Sequence, residues 1–273
     1  MQDTIFRFKK EATWKRLLRI NRIIETTYHS FAQLLLKGII TRLPFSKFYF
    51  RPCYLNELYM ALKLWEPYVR ETLKALIKSR ERVLFVDVGA HIGYYVTFVS
   101  DIAKDCFVVA IEPDDRNLRI LKMNINANKN VLVYNFALGS NGFYYLHPKT
   151  NPLYTQTSKI PSKFKIPSMS LDTLYENLRK KIGNLGSYQV IVKIDVEGRE
   201  LDIIRNGLKF LKEVRPCLII ESWPSSFDKL RAHLKRLKYR SYYLFKHYYL
   251  FVSETSKVNT QELTNLKNKH KLQ

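Results

Sequence analysis

Residues 85–93 read Phe-Val-Asp-Val-Gly-Ala-His-Ile-Gly, and the reading of the whole chain starts from them. The run Val83–Val88, apolar except for Asp87, is too short for a buried helix and long enough for a strand. It ends on Gly89, and from Tyr94 to Ala103 apolar residues recur at helical spacing. A strand that turns through glycines into a helix puts a ligand site outside the strand's carboxyl end. The glycines are spaced G-x-x-x-G, not G-x-G-x-x-G, so the fingerprint that cradles a pyrophosphate is not met. No Walker-type Lys follows either. An acid just before the first glycine suits a cationic ligand better than a phosphate.

Outward from this stretch, short apolar runs alternate with helical segments. Cys106–Ile111, Val131–Phe136, Val190–Asp195 and Cys217–Glu221 read as strands. Asp115–Asn128, Arg199–Phe210 and Ser226–Leu237 read as helices. Tyr242–Phe245 and Tyr248–Val252, joined only by Lys246-His247, are too close for a crossover helix and must run antiparallel. Buried strands alternating with helices predict a parallel sheet covered on both faces. The expected fold is a doubly wound, mostly parallel seven-stranded α/β sheet with a final antiparallel hairpin. The polar stretch 138–170 carries Pro148, Pro152, Pro161 and Pro167 and interrupts this pattern. It is expected to hold strands at Gly142–His147 and Phe164–Met169 and to wall or cover the substrate.

The 273 residues carry a formal charge of +22, which is unevenly spread. Residues 1–80 hold net +10, residues 81–223 net +4 and residues 224–273 net +8. The middle is nearly balanced and the flanks are basic, which raises nucleic acid, an anionic membrane or an acidic substrate as partners. The aromatic content, with few Gly and Pro, excludes disordered and fibrous classes. Cys53, Cys106 and Cys217 are far apart with no C-x-x-C, so neither a disulfide framework nor a zinc site is indicated. No signal peptide and no membrane-spanning run is visible, and a cytoplasmic setting is the default expectation. Apolar residues recur at helical spacing over 14–40, beside Lys15, Arg16, Arg19 and Arg22. That pattern reads either as a helix packed on the main domain or as a basic amphipathic helix on an anionic membrane. A second helical stretch, Leu55–Ser79, is interrupted at Pro67. The organisation is thus a basic helical extension over 1–80, a domain over 81–253 with the 138–170 insert, and a polar tail over 254–273.

Chemistry-bearing residues gather at the strand ends. Glu112 closes the second strand, where a carboxylate can accept bonds from ribose hydroxyls. Asn135, near the end of the third, could reach an adenine edge. The fourth strand ends Val192-Lys193-Ile194-Asp195-Val196-Glu197-Gly198. Strand alternation places Lys193 and Asp195 on one face, where a buried Lys must be paired. Glu221 ends the fifth strand.

The blocks VDVGAHIGYY, IEPDDRNLRILKMNI, NFALGS, MSLDTLYENL, VKIDVEGRELDIIRNGLKFL and PCLIIES, in this order, resemble the FkbM-type methyltransferases. The resemblance covers Val83–Ser222, departing at His91, where that family usually has Asn. It implies a class I methyltransferase fold and an S-adenosylmethionine-dependent O-methyltransferase acting on hydroxyls of glycans, glycolipids or related small molecules. It also implies cofactor contacts at Asp87, Gly89, Gly93 and Glu112, with His91 and Asn135 as further candidates. O-methylation needs a base for the acceptor hydroxyl. Asp195 is the first candidate, Glu197 the second, and Lys193 is expected to orient the group or hold the alkoxide. Glu197 could instead stabilise a helix entry. Asp195 with Glu221 could hold a divalent metal, a minority reading. His91 and His147 are expected to be bystanders.

Two other functions stay in view. Base-amino methylation is disfavoured because the turn is Asp195-Val196-Glu197-Gly198 and not an N/D-P-P-Y/F turn. RNA ribose 2′-O-methylation uses a Lys-Asp-Lys-Glu set, which Lys193, Asp195 and Glu221 echo in part. A non-catalytic basic protein of the membrane surface is the other alternative.

Overall fold

The computed structural model describes residues 28, 31–32, 34–78, 82–125, 130–146, 157–160 and 162–256, and the chain divides into two compact units, 1–65 and 66–273. In the first unit, β1 (Thr41–Arg42) and β2 (Tyr49–Phe50) form an antiparallel ladder ahead of α1 (Leu55–Ala61). Arg51 forms a buried ion pair with Glu57, its Nε donating to Oε1 at 2.9 Å, and the Tyr28 hydroxyl donates to the Pro52 carbonyl. Most of the expected 14–40 helix, and the end of the polar tail, lie outside the described residues.

The second unit opens with α2 (Pro67–Lys78), then runs β3 (Arg82–Val88), α3 (Tyr94–Ile102), β4 (Asp105–Ile111), α4 (Asp115–Ile125) and β5 (Val131–Tyr134). It continues through β6 (Ala137–Leu138), β7 (Gly142–Leu146), β8 (Thr157–Ser158), β9 (Phe164–Met169), α5 (Leu171–Ile182) and β10 (Gln189–Ile194). Then come α6 (Glu200–Arg205), α7 (Leu208–Glu213), β11 (Cys217–Glu221), α8 (Pro224–Arg236), β12 (Tyr239–Phe245) and β13 (Tyr248–Ser253). The main sheet has seven strands in the order β12-β13-β11-β10-β3-β4-β5, parallel except for β13, which runs antiparallel to β11 and β12. From β3 the chain first builds outward through β4 and β5, then returns to the other side for β10 and β11. The switch point therefore falls between β3 and β10, where a ligand crevice is expected.

Every residue of β3 after Arg82 is buried, Asp87 included. Apolar side chains of β3, β4, β10 and β11 pack with those of α5, α6 and α7 in one continuous core. Each fully buried Leu, Ile, Val or Phe there contributes about 1.5–3 kcal/mol relative to exposure. The three cysteines are free and buried, as core residues.

Two local expectations differ from the structure. The single helix expected over Arg199–Phe210 is two, α6 and α7, parted at Asn206-Gly207. A Cβ on Gly207 would stand 2.6 Å from Leu171 Cδ2, so the chain there passes too close to α5 for a side chain. Asp172, in the first turn of α5, accepts from the backbone N–H of Lys209 and Phe210 at 3.2 and 2.8 Å and caps α7 from outside. The insert is also more than two strands, since β6, β9, β7 and β8 make a second, four-stranded sheet. Fully buried Tyr144 fixes that sheet to α6, its hydroxyl donating to Asp202 Oδ2 at 2.6 Å while the Arg199 guanidinium lies 4.0 Å above its ring.

Candidate active site

The site is built at the carboxyl ends of β3, β4, β10 and β11. In the sheet register Lys193 lies beside Asp87 on one side and Ile219 on the other, and Glu221 lies beside Tyr248. Strand alternation then puts Asp87, Lys193, Asp195, Glu221 and Tyr248 on the same face. This arrangement concentrates ionisable groups inside the fold, so every one of them needs a partner.

Lys193 supplies the positive charge. Its side chain is 2% exposed, and Nζ donates to Asp195 Oδ2 at 2.9 Å and stands 3.9 Å from Asp87 Oδ1. The Tyr95 and Tyr248 rings lie 4.9 and 5.9 Å from the ammonium. Burial alone would lower the lysine's pKa, but Asp195, Asp87 and Glu66 together raise it, so it stays charged. The Tyr248 hydroxyl donates to Asp195 Oδ2 at 2.7 Å, and Tyr95 donates to Glu66 Oε2 at 2.5 Å.

The carboxyls differ in their protonation. Burial would raise Asp195, but the Lys193 charge and hydrogen bonds from Glu221, Tyr248 and Lys193 bring it below its ordinary value. Glu221 moves the opposite way, through burial and the neighbouring Asp195 charge, so the pair shares one proton and Glu221 carries it. Glu197 is pushed up to about 7 by burial and by the charges of Asp195 and Glu200. Its backbone is left-handed, with φ +54°, followed by Gly198 at φ +104°. A non-glycine residue held in that region is strained, and such strain clusters at functional sites.

Asp87 is pushed to about 7 by burial, with Asp195 and Glu66 adding to the rise and Lys193 opposing it. Neither of its carboxylate oxygens accepts a hydrogen bond among the described residues, although the residue is 1% exposed. The site thus holds more acid than the one lysine neutralises, a surplus that suits a cation.

The glycine-loop geometry is equally constrained. A Cβ on Gly89 would lie 1.9 Å from the Asp195 carbonyl oxygen, and φ there is +81°. The end of β10 therefore packs directly on the first loop. His91 adopts φ +50°, a conformation Asn tolerates better than most side chains, which accounts physically for Asn at this place in the family pattern. Glu112, 3% exposed, ties the loop down: Oε2 accepts from the His91 N–H at 2.8 Å, and Oε1 accepts from the Asp114 N–H at 3.0 Å and from Asn117 Nδ2 at 3.3 Å. A carboxylate has about four acceptor positions, so one remains for a ligand hydroxyl. Burial still pushes Glu112 up to about 7 against these donors. Asn135 is exposed and donates through Nδ2 to the Glu112 and Pro113 carbonyls at 3.2 and 3.4 Å.

The structure thus brings together Asp87, Lys193, Asp195, Glu197 and Glu221, and separately joins His91 to Glu112. His147 lies outside the described residues. Glu66, Tyr95 and Tyr248 belong to the same cluster and were not singled out in the sequence. Glu66 is far away in the chain, and the two tyrosines look like ordinary packing residues. The oxygens of Asp195, Glu197 and Glu221 lie within 4.8 Å of one another, a spacing able to seat a hard cation. Lys193 already compensates Asp195, and no metal is assigned.

The sheet order and its reversed last strand define a class I methyltransferase. The Methyltransferase FkbM domain family matches residues 87–241, more than half of the chain, and the chain belongs to that family. Its methyl donor is accordingly S-adenosylmethionine. No curated protein matches the chain. Among solved structures it is similar to a precorrin-6y C5,15-methyltransferase from Geobacter metallireducens, with 12% identity and a TM-score of 0.41 over 67% of this chain and 84% of that one. It is also similar to a fibrillarin pre-rRNA processing protein from Methanococcus jannaschii, with 14% identity and a TM-score of 0.41 over 70% and 78%. A third is the METTL16 methyltransferase domain, with 13% identity and a TM-score of 0.41 over 69% and 67%. Likeness this remote says nothing about the acceptor.

The residues fit the donor. The Asp87 carboxyl, whose oxygens accept no hydrogen bond among the described residues, and the acid surplus around the one lysine suit a cationic group. Glu112 keeps an acceptor position at the strand end.

Proposed function

We propose that the protein is an O-methyltransferase that methylates a hydroxyl of a glycan, glycolipid or related small molecule. S-adenosylmethionine, when bound, supplies an electrophilic methyl on a sulfonium. The chain's own part is to hold the donor, align the hydroxyl and take its proton. Within this reading Glu197 is the proton acceptor. A general base works best with a pKa near the working pH, and Glu197, half-buried at about 7, meets that condition. Asp195 does not, because it already accepts from Lys193, Tyr248 and Glu221 and is held ionised. Its role is to anchor the cluster, with Lys193 positioned from behind.

The observation that carries this reading is the contrast between an Asp195 held ionised by three donors and a strained, half-buried Glu197 two residues on. Calorimetric titration with S-adenosylhomocysteine tests the donor site, and Asp87→Ala binding as well as the parent chain would sink it. The acceptor class is tested with tritiated S-adenosylmethionine offered to glycolipid extracts, polysaccharide and total RNA in parallel. Label appearing only in RNA, at ribose, would replace the glycan reading with the 2′-O reading. Label on nitrogen would end both.

A further inference from the structure

The first unit carries an exposed apolar surface that the methyl-transfer chemistry does not use. Phe31, Leu34 and Leu35 occupy helical positions and are 66%, 79% and 57% exposed, while Ala32 between them is 3% exposed. Spacing of i, i+3 and i+4 puts the three on one side of the helix. A second apolar projection stands on the loop between β1 and β2. That loop is an ordered turn, with the Ser46 N–H donating to the Leu43 carbonyl at 3.0 Å and the Phe48 N–H to Ser46 Oγ at 3.1 Å. It presents Phe45, which is 77% exposed. Large side chains held out on ordered backbone mark an interaction surface, since folding gains nothing from them there.

The charge around this surface identifies its partner. From Thr26 to Asn56 the chain has no Asp or Glu. Lys37, Arg42 and Lys47 are all exposed, whereas Arg51 is buried against Glu57. Pairing this surface with a second copy would bring cations against cations with no acid between them. An anionic bilayer answers both features at once, with lipid phosphates facing the lysines and arginine and the acyl boundary receiving the apolar side chains. A single weak anchor gives only marginal attachment, and here apolar and basic signals occur together.

We propose that Phe31, Leu34, Leu35 and the hairpin tip at Phe45, with Lys37, Arg42 and Lys47, form a docking surface for an anionic membrane. The proposal does not depend on the acceptor or on the identity of the base.

Co-sedimentation of the full chain with vesicles tests it, comparing phosphatidylcholine alone with phosphatidylcholine carrying about one-third phosphatidylglycerol. The expected result is binding to the anionic vesicles, weakened by salt, and little binding to the neutral ones. Two triple variants separate the contributions: Phe31→Ser/Leu34→Ser/Phe45→Ser and Lys37→Gln/Arg42→Gln/Lys47→Gln. Each should partition at least about tenfold more weakly. Unchanged far-ultraviolet circular dichroism and unchanged resistance of residues 1–65 to limited proteolysis show that a variant remains folded. The charge variant leaves the apolar side chains in place and decides the matter if the apolar variant fails to fold. The parent chain ignoring anionic vesicles, binding both compositions alike, or binding equally well in both variants would overturn the proposal. So would a dimer in sedimentation equilibrium that dissolves in the apolar variant, because a second copy would then be the partner.

Discussion

At Gly89 the chain has room for a hydrogen and nothing larger. A Cβ there would overlap the Asp195 carbonyl at 1.9 Å on a backbone already at φ +81°. The left-handed conformation alone costs an L-residue about 1–2 kcal/mol, and displacing β10 adds to it. Gly89→Ala should therefore lose S-adenosylhomocysteine binding in calorimetry and lower the melting temperature. A variant that binds normally would show that the loop and β10 can separate freely. Tyr248→Phe keeps the ring near Lys193 and removes the hydroxyl that donates to Asp195 and also hydrogen-bonds Glu66. Urea unfolding should show a loss of about 1–3 kcal/mol with an unchanged slope, as for a buried hydrogen bond to a charged group. Lys193→Met is harsher, since it leaves Asp87 and Asp195 facing each other uncompensated. The expected cost is about 3–5 kcal/mol.

Among the elements, β7 and α6 show how a remote contact shapes the site. Tyr144 is buried completely, and its hydroxyl both accepts from the Ser140 N–H at 3.0 Å and donates to Asp202. Asp202 also receives Arg199 at 2.6 Å, two residues after Glu197 in the chain. The second sheet thereby steadies the loop that carries the proposed base. Tyr144→Phe should leave the seven-stranded sheet intact and loosen this junction. Hydrogen exchange should speed up in residues 142–146 and 197–202 while β3 and β10 stay protected, and uniform exchange would contradict the coupling. The strands expected at Gly142–His147 and Phe164–Met169 appear as β7 and β9. Their union with β6 and β8 was not legible in the sequence, because two-residue strands carry no periodicity. The break between α6 and α7 escaped for a related reason: the apolar spacing runs on through Gly207, and only the approach of Leu171 and the Asp172 cap divide the helix.

Across the whole molecule, the buried acids make stability depend on pH. Asp87 and Glu112 titrate in the fold at about 7, raised mainly by burial from ordinary values of 3.8 and 4.5. A raised carboxyl favours the fold most below its unfolded value, and that contribution is lost as pH rises toward the folded one. Asp195 runs in the opposite sense, its contribution being present above its unfolded value and lost on further acidification. The cofactor-free protein should therefore be most stable near pH 4–5 and lose melting temperature up to about pH 7. For Glu112 alone the loss is about 3 kcal/mol at most. Glu112→Gln should flatten the slope measured by thermal unfolding, and an unaltered slope would show that Glu112 is ionised throughout.

The seven-stranded, mostly parallel sheet, its reversed hairpin and the family were determined by the sequence alone. Periodicity and turn residues are local, and six ordered motif blocks carry enough information to specify a crevice at the strand ends. The strand-end acids could also be read, since alternation assigns Lys193 and Asp195 to one face. The surroundings and protonation of each acid were decided by tertiary structure. Asp195 and Glu197 are equivalent as residue types, and only folding sets Lys193, Tyr248 and Glu221 around the first while holding the second strained and half-buried. Protonation depends on burial and on neighbours brought in from distant strands, and those are properties of the fold rather than of any segment of the chain.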